Sequence, residues 1–149
     1  MKDISLRNAL IVVLFTIVGG FGYQMYQQWN QPTYERGTVV YVTDGDSFFV
    51  MRNLGTTDEY QDEIRLHGLN APELHGPHSE DGYRSKDALT NMIGDKEIFI
   101  RDFHGHRGKY DRLIAIVYID QGDSLVNINR WLVLEGLAEP RDYGMGAIK

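Results

Sequence analysis

The chain has no cysteine, and its 15 Lys and Arg are outnumbered by 21 Asp and Glu. Without cysteine, disulfides, zinc knuckles, a thiol nucleophile and a lipid-modified cysteine anchor are all excluded. A formal charge of −6 argues against a broad surface that coats nucleic acid. Any polyanionic partner would have to be met by a local cluster of cations or by a metal ion. Removing Lys2, Arg7 and Asp3 leaves the rest of the chain more acidic still. Signatures of other enzyme classes are also missing. Gly108-Lys109 lacks the preceding glycine of a phosphate-binding loop, no His-Glu-x-x-His occurs, and no repeat of useful period is present.

At 149 residues the chain suits one domain of ordinary size behind a short N-terminal segment, with no room for a second domain. Lys2 and Arg7 precede an apolar run over residues 9–23 that only Thr16 and three glycines interrupt. Such a run is an export or anchoring signal, intermediate in length between a signal-peptide core and a full membrane span. Gly20 and Gly22 would permit cleavage, whereas Tyr23, Tyr26 and Trp29 form an aromatic fringe suited to a membrane interface. The expectation is an uncleaved membrane anchor within residues 1–30, its two cations in the cytoplasm and residues 31–149 on the outer side. Secretion after cleavage is the alternative.

Residues 24–35, rich in Gln and holding Pro32, read as a linker, and the folded part begins near Arg36. Residues 38–43 form a β-branched run, Asp44-Gly45 a turn signal, and residues 47–51 a second run, the pattern of a hairpin. A polar loop over 53–59 leads to a third strand at about 60–68. Ser79 is a candidate helix cap, with Glu80 and Asp81 in the first turn, Ala88, Leu89, Met92 and Ile93 as an apolar face, and Gly94 as the stop. A fourth strand at 96–103, a Gly- and His-bearing loop at 102–109 and a fifth strand at 112–119 follow. The last element is a short helix at about 127–135, with Ile128, Trp131 and Leu132 at helical spacing and Gly136 as terminator. Five short strands with one helix between the third and fourth predict a mainly β, α+β fold: a five-stranded closed barrel of the oligonucleotide/oligosaccharide-binding (OB) type.

The chemistry centres on residues 64–73. Ile64 and Leu66 alternate with Arg65 and His67, and Pro72 then stops regular pairing. Asn70, Ala71 and Glu73 therefore fall on a loop just beyond a strand end, where side chains and backbone oxygens are free to act. Asp44-Gly45-Asp46-Ser47 serves a hairpin turn whatever its function. Even so, two oxygen-bearing turns converging on one point suit a hard cation such as calcium. Arg65 and Arg112 each lie beside strand residues. They are either solvated surface cations or a pair that grips one phosphate and stabilises a phosphoryl transition state, and spacing leaves both readings open.

Four segments together resemble, in order, the signature segments of staphylococcal-nuclease-like (thermonuclease) domains. They are Val42-Thr43-Asp44-Gly45-Asp46-Ser47, Ile64-Arg65-Leu66-His67-Gly68-Leu69-Asn70-Ala71-Pro72-Glu73, Lys109-Tyr110-Asp111-Arg112-Leu113-Ile114-Ala115 and Trp131-Leu132-Val133-Leu134-Glu135-Gly136-Leu137-Ala138. The likeness spans about residues 36–140. It implies an OB barrel and a calcium-dependent phosphodiesterase that acts on DNA and RNA and leaves 3′-phosphate ends; the expectation for this chain is a monomer acting on single-stranded or locally opened nucleic acid. It further implies that Asp46, Asn70 and the carbonyl of Ala71 hold one Ca2+ ion. Glu73 would be the general base, Arg65 and Arg112 would hold the phosphate with Arg112 near the leaving group, and Lys109 and Tyr110 would contact the nucleotide.

Two departures from the family pattern carry consequences. Asn70 stands where the family usually has Asp, so the metal site loses one negative charge and a weaker calcium affinity is expected. Only eleven residues follow Ala138, too few for the third helix of the best-known members, and Tyr143 alone would stand in for the tyrosines that flank their nucleotide. A catalytically weak barrel that binds nucleic acid or a protein is the alternative reading. His75, His78, His104 and His106 pair closely in sequence and raise a third possibility, a zinc-dependent phosphoesterase, but loop histidines without a metal are the preferred interpretation.

Overall fold

The computed structural model describes residues 34–141, together with Gly19, Gly20 and Tyr23, which are helical. The expected anchor and Tyr143 otherwise lie outside the described residues. Among the described residues no helix is long and apolar enough to cross a membrane.

The unit beginning at Tyr34 is built from β1 (Glu35–Asp44), β2 (Ser47–Arg52), β3 (Tyr60–Leu66), β4 (Leu69–Asn70), helix α1 (Ser79–Ile93), β5 (Glu97–Arg107), a single 3-10 turn at Lys109–Asp111, β6 (Leu113–Asp120), β7 (Leu125–Asn127), helix α2 (Ile128–Leu134) and β8 (Glu139–Pro140). The main sheet runs β3-β2-β1-β5-β6-β7, and β3 also pairs with β6, closing five strands into a barrel. That closing pair is parallel and matches Ile64 with Leu113, Arg65 with Ile114, and Leu66 with Ala115. All other strand pairs are antiparallel. The α+β OB architecture read from the strand pattern is therefore the one found.

Alternation explains the core. Phe48, Val50, Ile64, Leu66, Ile98, Ile100, Leu113, Ala115 and Val117 point into the barrel and are buried. Leu89 and Ile93 of α1 and Ile128 and Leu132 of α2 complete the same core cluster. Each Val, Leu, Ile or Phe among them contributes about 1.5–3 kcal/mol on full burial. Asn129 of α2 is buried as well, and its amide binds the helix to the barrel. It accepts from the Val117 amide at 2.9 Å and donates to the carbonyls of His67 at 2.9 Å and Ala115 at 3.1 Å.

Several boundaries differ from the sequence reading. The third strand stops at Leu66 because Gly68 adopts φ 77°, which turns the chain into the separate two-residue β4. Ser79 is not the cap of α1: His78 occupies that position without a side-chain capping bond, and Ser79 is the first helical residue. The loop expected at 102–109 is largely strand, since β5 continues to Arg107. The terminator Gly136 does adopt φ 67°, and Asn127 caps α2 by accepting from the Arg130 amide at 3.0 Å.

Candidate functional site

The turn between β1 and β2 is tied to the loop after β4 through one buried carboxylate. Asp46 is 2% exposed. Its Oδ2 accepts from the Ala71 amide at 2.9 Å, and its Oδ1 accepts from the Ser47 hydroxyl at 3.0 Å and from Arg65. Asp44 tightens the turn by accepting from the Asp46 amide at 3.0 Å. Gly45 is needed here for space, because it is not among the residues with positive φ. A Cβ on it would lie 2.2 Å from the Ser85 hydroxyl of α1 and 2.6 Å from the Ala71 Cβ. The turn is thus wedged between helix and loop.

The closing β3–β6 pair decides whether the two arginines meet. Arg65 lies opposite Ile114, so Arg112, two residues earlier on β6's entry, shares the outward side of the same edge. Arg65 donates to the Asn70 amide oxygen at 3.0 Å, and Arg112 donates to the Ser47 hydroxyl at 3.1 Å. Both line a cleft of about 890 Å³ whose wall also includes Asp44, Asn70, Glu73, Lys109 and Tyr110. Asp46 and Ala71 sit in an adjoining recess of about 210 Å³ that shares Asp44, Arg65 and Glu73 with the larger cleft. All eight residues singled out from the sequence for a site thus border two contiguous hollows.

The backbone around Tyr110 is unusual. Tyr110 and Asp111 have φ 64° and 62°, a left-handed pair that costs of the order of 1–3 kcal/mol per residue outside glycine. Arg107 holds it in place, donating to the Asp111 carbonyl at 2.6 Å and to both carboxylate oxygens of Asp62 at 3.0 and 3.1 Å. Asp62 is itself buried and also accepts from Arg52 at 3.0 Å. The effect is to push the Tyr110 ring outward, 74% exposed, with the Lys109 ammonium 4.6 Å and the Arg112 guanidinium 5.7 Å from its centroid. The Lys109 ammonium beside it, with help from Arg112, draws the phenol below its usual pKa.

Glu73 is placed by its backbone. Gly82 of α1 packs directly on the Glu73 carbonyl, which a Cβ at position 82 would approach to 2.4 Å. Nearby, burial pushes the Asp44 carboxyl up against the opposing pull of Arg65. Burial likewise raises Glu63, opposed by Arg112 and reinforced by Asp44 and Asp62.

The donor chemistry around Asp46 suits a hard cation. Asp46, the Asn70 amide oxygen and the Ala71 carbonyl are oxygen donors only. The Arg65 guanidinium already joins Asp46 Oδ1 to Asn70 Oδ1, so positive charge is accommodated between two of the three groups. Among the described residues, no group of three His, Asp or Glu side chains is arranged around a common point for a metal. His75, His78 and His106 lie within that set, and His106 lines the main cleft. The His104 side chain falls outside it.

Sequence reasoning missed Arg141, which lines the cleft and donates to the Asn70 amide oxygen at 3.4 Å. It is delivered by the β4–β8 pairing and by its own amide bonding the Gly68 carbonyl at 2.9 Å. No motif surrounds it.

Residues 63–145 match the family model described as staphylococcal nuclease homologue. An uncharacterized protein of Methanocaldococcus jannaschii is 28% identical over 123 residues, covering 68% of this chain and 57% of the relative. The chain therefore spans little more than half the length of that relative.

Proposed function

The chain belongs to the staphylococcal nuclease homologue family, and from that premise we propose that it is a calcium-dependent phosphodiesterase hydrolysing single-stranded or locally opened DNA and RNA. Membership supports a nuclease-type, nucleic-acid-binding function in general. The observation that carries the finer reading is that Arg112, distant in sequence from Arg65 and Glu73, lines one cleft with them beside Asn70.

Two guanidinium groups at such a place grip a phosphate and neutralise charge as it grows on the phosphoryl oxygens. Glu73 takes the proton of the attacking water. The water oxygen bonds to phosphorus while the bond to the 5′ oxygen breaks, leaving a 3′-phosphate, and the departing oxygen gains a proton. Arg112 is assigned to the leaving-group side, and Lys109 and Tyr110 to the nucleotide at the rim. Asp46, Asn70 and the Ala71 carbonyl would hold calcium, which when bound supplies a fixed positive charge against the phosphate.

The pairing of Arg65 with Asp46 and Asn70 favours a second reading, a catalytically weak barrel that binds nucleic acid. Digestion of single-stranded DNA by the full chain, with calcium titrated from chelator to millimolar levels, separates the two. Calcium-dependent cleavage that Glu73→Gln abolishes establishes the nuclease. Retained binding without cleavage at any calcium level selects the binding module.

We further propose that the protein is held at a membrane by its N-terminal segment with the barrel on the outer side, a reading supported by Lys2, Arg7 and the apolar run behind them. Recovery of the chain in a soluble secreted fraction would overturn it.

A further inference from the structure

The outer face of the barrel carries an aromatic pair that neither the fold nor the cleft explains. Phe48 and Val50 point inward, so Phe49 between them faces out, and its register partner on β1 is Tyr41. The two rings stack with centroids 4.7 Å apart and planes 24° from parallel. Tyr41 is 49% exposed. Among the described residues no further ring packs on the pair. A solvated strand face ordinarily presents polar residues, and an exposed stacked pair there is a surface on which a further flat ring can lie.

The pair is continuous with the cleft. Phe49 lies opposite Glu63 on β3, and Glu63 is within electrostatic reach of Arg112. With strands about 4.8 Å apart, Tyr41, Phe49 and Glu63 form one row that leads across the barrel towards the phosphate-gripping arginine. The distance from Phe49 to Arg112, about two strand spacings or 10 Å, lies beyond the base next to the gripped phosphate and is bridged once the strand extends by a further nucleotide.

We infer that Tyr41 and Phe49 form a base-stacking subsite for an unpaired nucleotide of the strand whose phosphate lies against Arg112. Stacking is the mode of recognition this chain most needs. Its net charge of −6 denies it a wide basic groove, while base–aromatic contact is sequence-tolerant and requires no cation. A base laid on this stack, whose Tyr41 ring is exposed, leaves the strand free to run on into the cleft. The carboxylate of Glu63 on the same row is an acceptor for base N–H groups and repels a phosphate, so the base and not the backbone faces the strand surface there. Within a duplex both faces of each base are already stacked, and the subsite therefore selects single strands.

This rests on the nucleic-acid reading above, and the test separates the two. Phe49→Leu and Tyr41→Leu keep apolar volume but lose the π face, and Phe49→Trp keeps both. The full chain and these variants are assayed with calcium on an oligothymidylate of eight nucleotides and on a dinucleotide, for kcat/KM by cleavage and for affinity by fluorescence anisotropy. Stacking predicts that each leucine variant loses about tenfold on the octanucleotide, stays within about twofold on the dinucleotide, and that the tryptophan variant retains the parent value. Equal losses on both substrates, or none on either, overturn the subsite while leaving the nuclease standing. A parent chain that binds the octanucleotide without cutting it overturns the nuclease reading alone, and the tenfold loss then appears in affinity. A parent chain that binds neither overturns both.

Discussion

Gly82→Ala perturbs the cleft without altering any side chain assigned to the chemistry. A Cβ at position 82 would lie 2.4 Å from the Glu73 carbonyl oxygen, 2.7 Å from its carbonyl carbon and 2.9 Å from the Pro72 carbonyl oxygen. These are backbone atoms and cannot swing aside as the end of a flexible side chain would. Ordinary contact begins near 3.4 Å, so α1 and the Glu73 loop must part by about 1 Å in an interior packed as densely as a crystal. Helix propensity favours alanine by about 1 kcal/mol, whereas overpacking costs about 1–3 kcal/mol. The net is a loss of about 0–2 kcal/mol, read as a small fall in the urea midpoint. Activity is the more sensitive measure, since misplacing a catalytic group by about 1 Å costs on the order of 100-fold. The expected result is a kcat lowered by that order, with KM changed far less because Arg65 and Arg112 are anchored on β3 and at the entry to β6. A variant more stable than its parent and fully active would refute the close approach of α1 to Glu73.

Three further substitutions test other parts of the site. Asn70→Asp keeps the acceptors for Arg65 and Arg141, removes the donor to the Ala71 carbonyl and adds a negative charge. Calcium affinity by titration calorimetry should rise, and an unchanged Kd would remove residue 70 from the metal site. Arg107→Met strips the Asp111 carbonyl and one side of buried Asp62 of their donor. The left-handed turn at Tyr110 should relax, stability should fall by about 1–3 kcal/mol, and KM for oligonucleotide should rise more than kcat falls; unchanged KM would detach Tyr110 from substrate. For Glu63→Gln the sign follows from a carboxyl raised in the fold, chiefly by burial. Such a group weakens the native state as pH rises from the ordinary glutamate range through its raised value. The glutamine variant should therefore have the higher urea midpoint at pH 7 and lose that advantage at pH 3, and equal midpoints at both would contradict the burial of Glu63.

The strands were legible wherever their period of two ran for six residues or more, as in β2 with Phe48 and Val50 inward and Phe49 outward. β4, β7 and β8 hold only two or three residues each, too few to show any period, and were not foreseen. The extension of β5 was hidden by Gly105 and His106, residues that by composition announce a loop, yet Gly105 is accommodated within the strand at φ 72°. The individual site residues were visible as motifs. Their convergence was not, because Arg65 and Arg112 are brought to one edge by a parallel β3–β6 pairing that leaves no local signal. Arg141 reaches Asn70 through β8 in the same non-local way. Gly82 reads in sequence as a flaw inside a helix, and only the Glu73 carbonyl behind it gives it a reason.

Charge arranges these pieces into a consistent whole. The cleft is lined by Arg65, Lys109, Arg112 and Arg141 against Asp44 and Glu73, a local excess of cations in a chain whose net charge is −6. A net negative charge disfavours a phosphate backbone on the surface at large, so the local cations orient a strand more than they tighten its hold. At most about four phosphates can be neutralised, which limits the salt slope for a single strand to about −3 on logarithmic axes. Arg65 and Arg141 also hold Asn70, and Arg65 holds Asp46, so part of that capacity is spent on keeping the loop in place. Affinity must then come mainly from contacts that salt does not screen. Tyr110 at one rim and the Tyr41–Phe49 stack on the barrel face offer aromatic surfaces for it. A substrate long enough to reach both should bind with weak salt dependence, and lengthening it beyond them should add little.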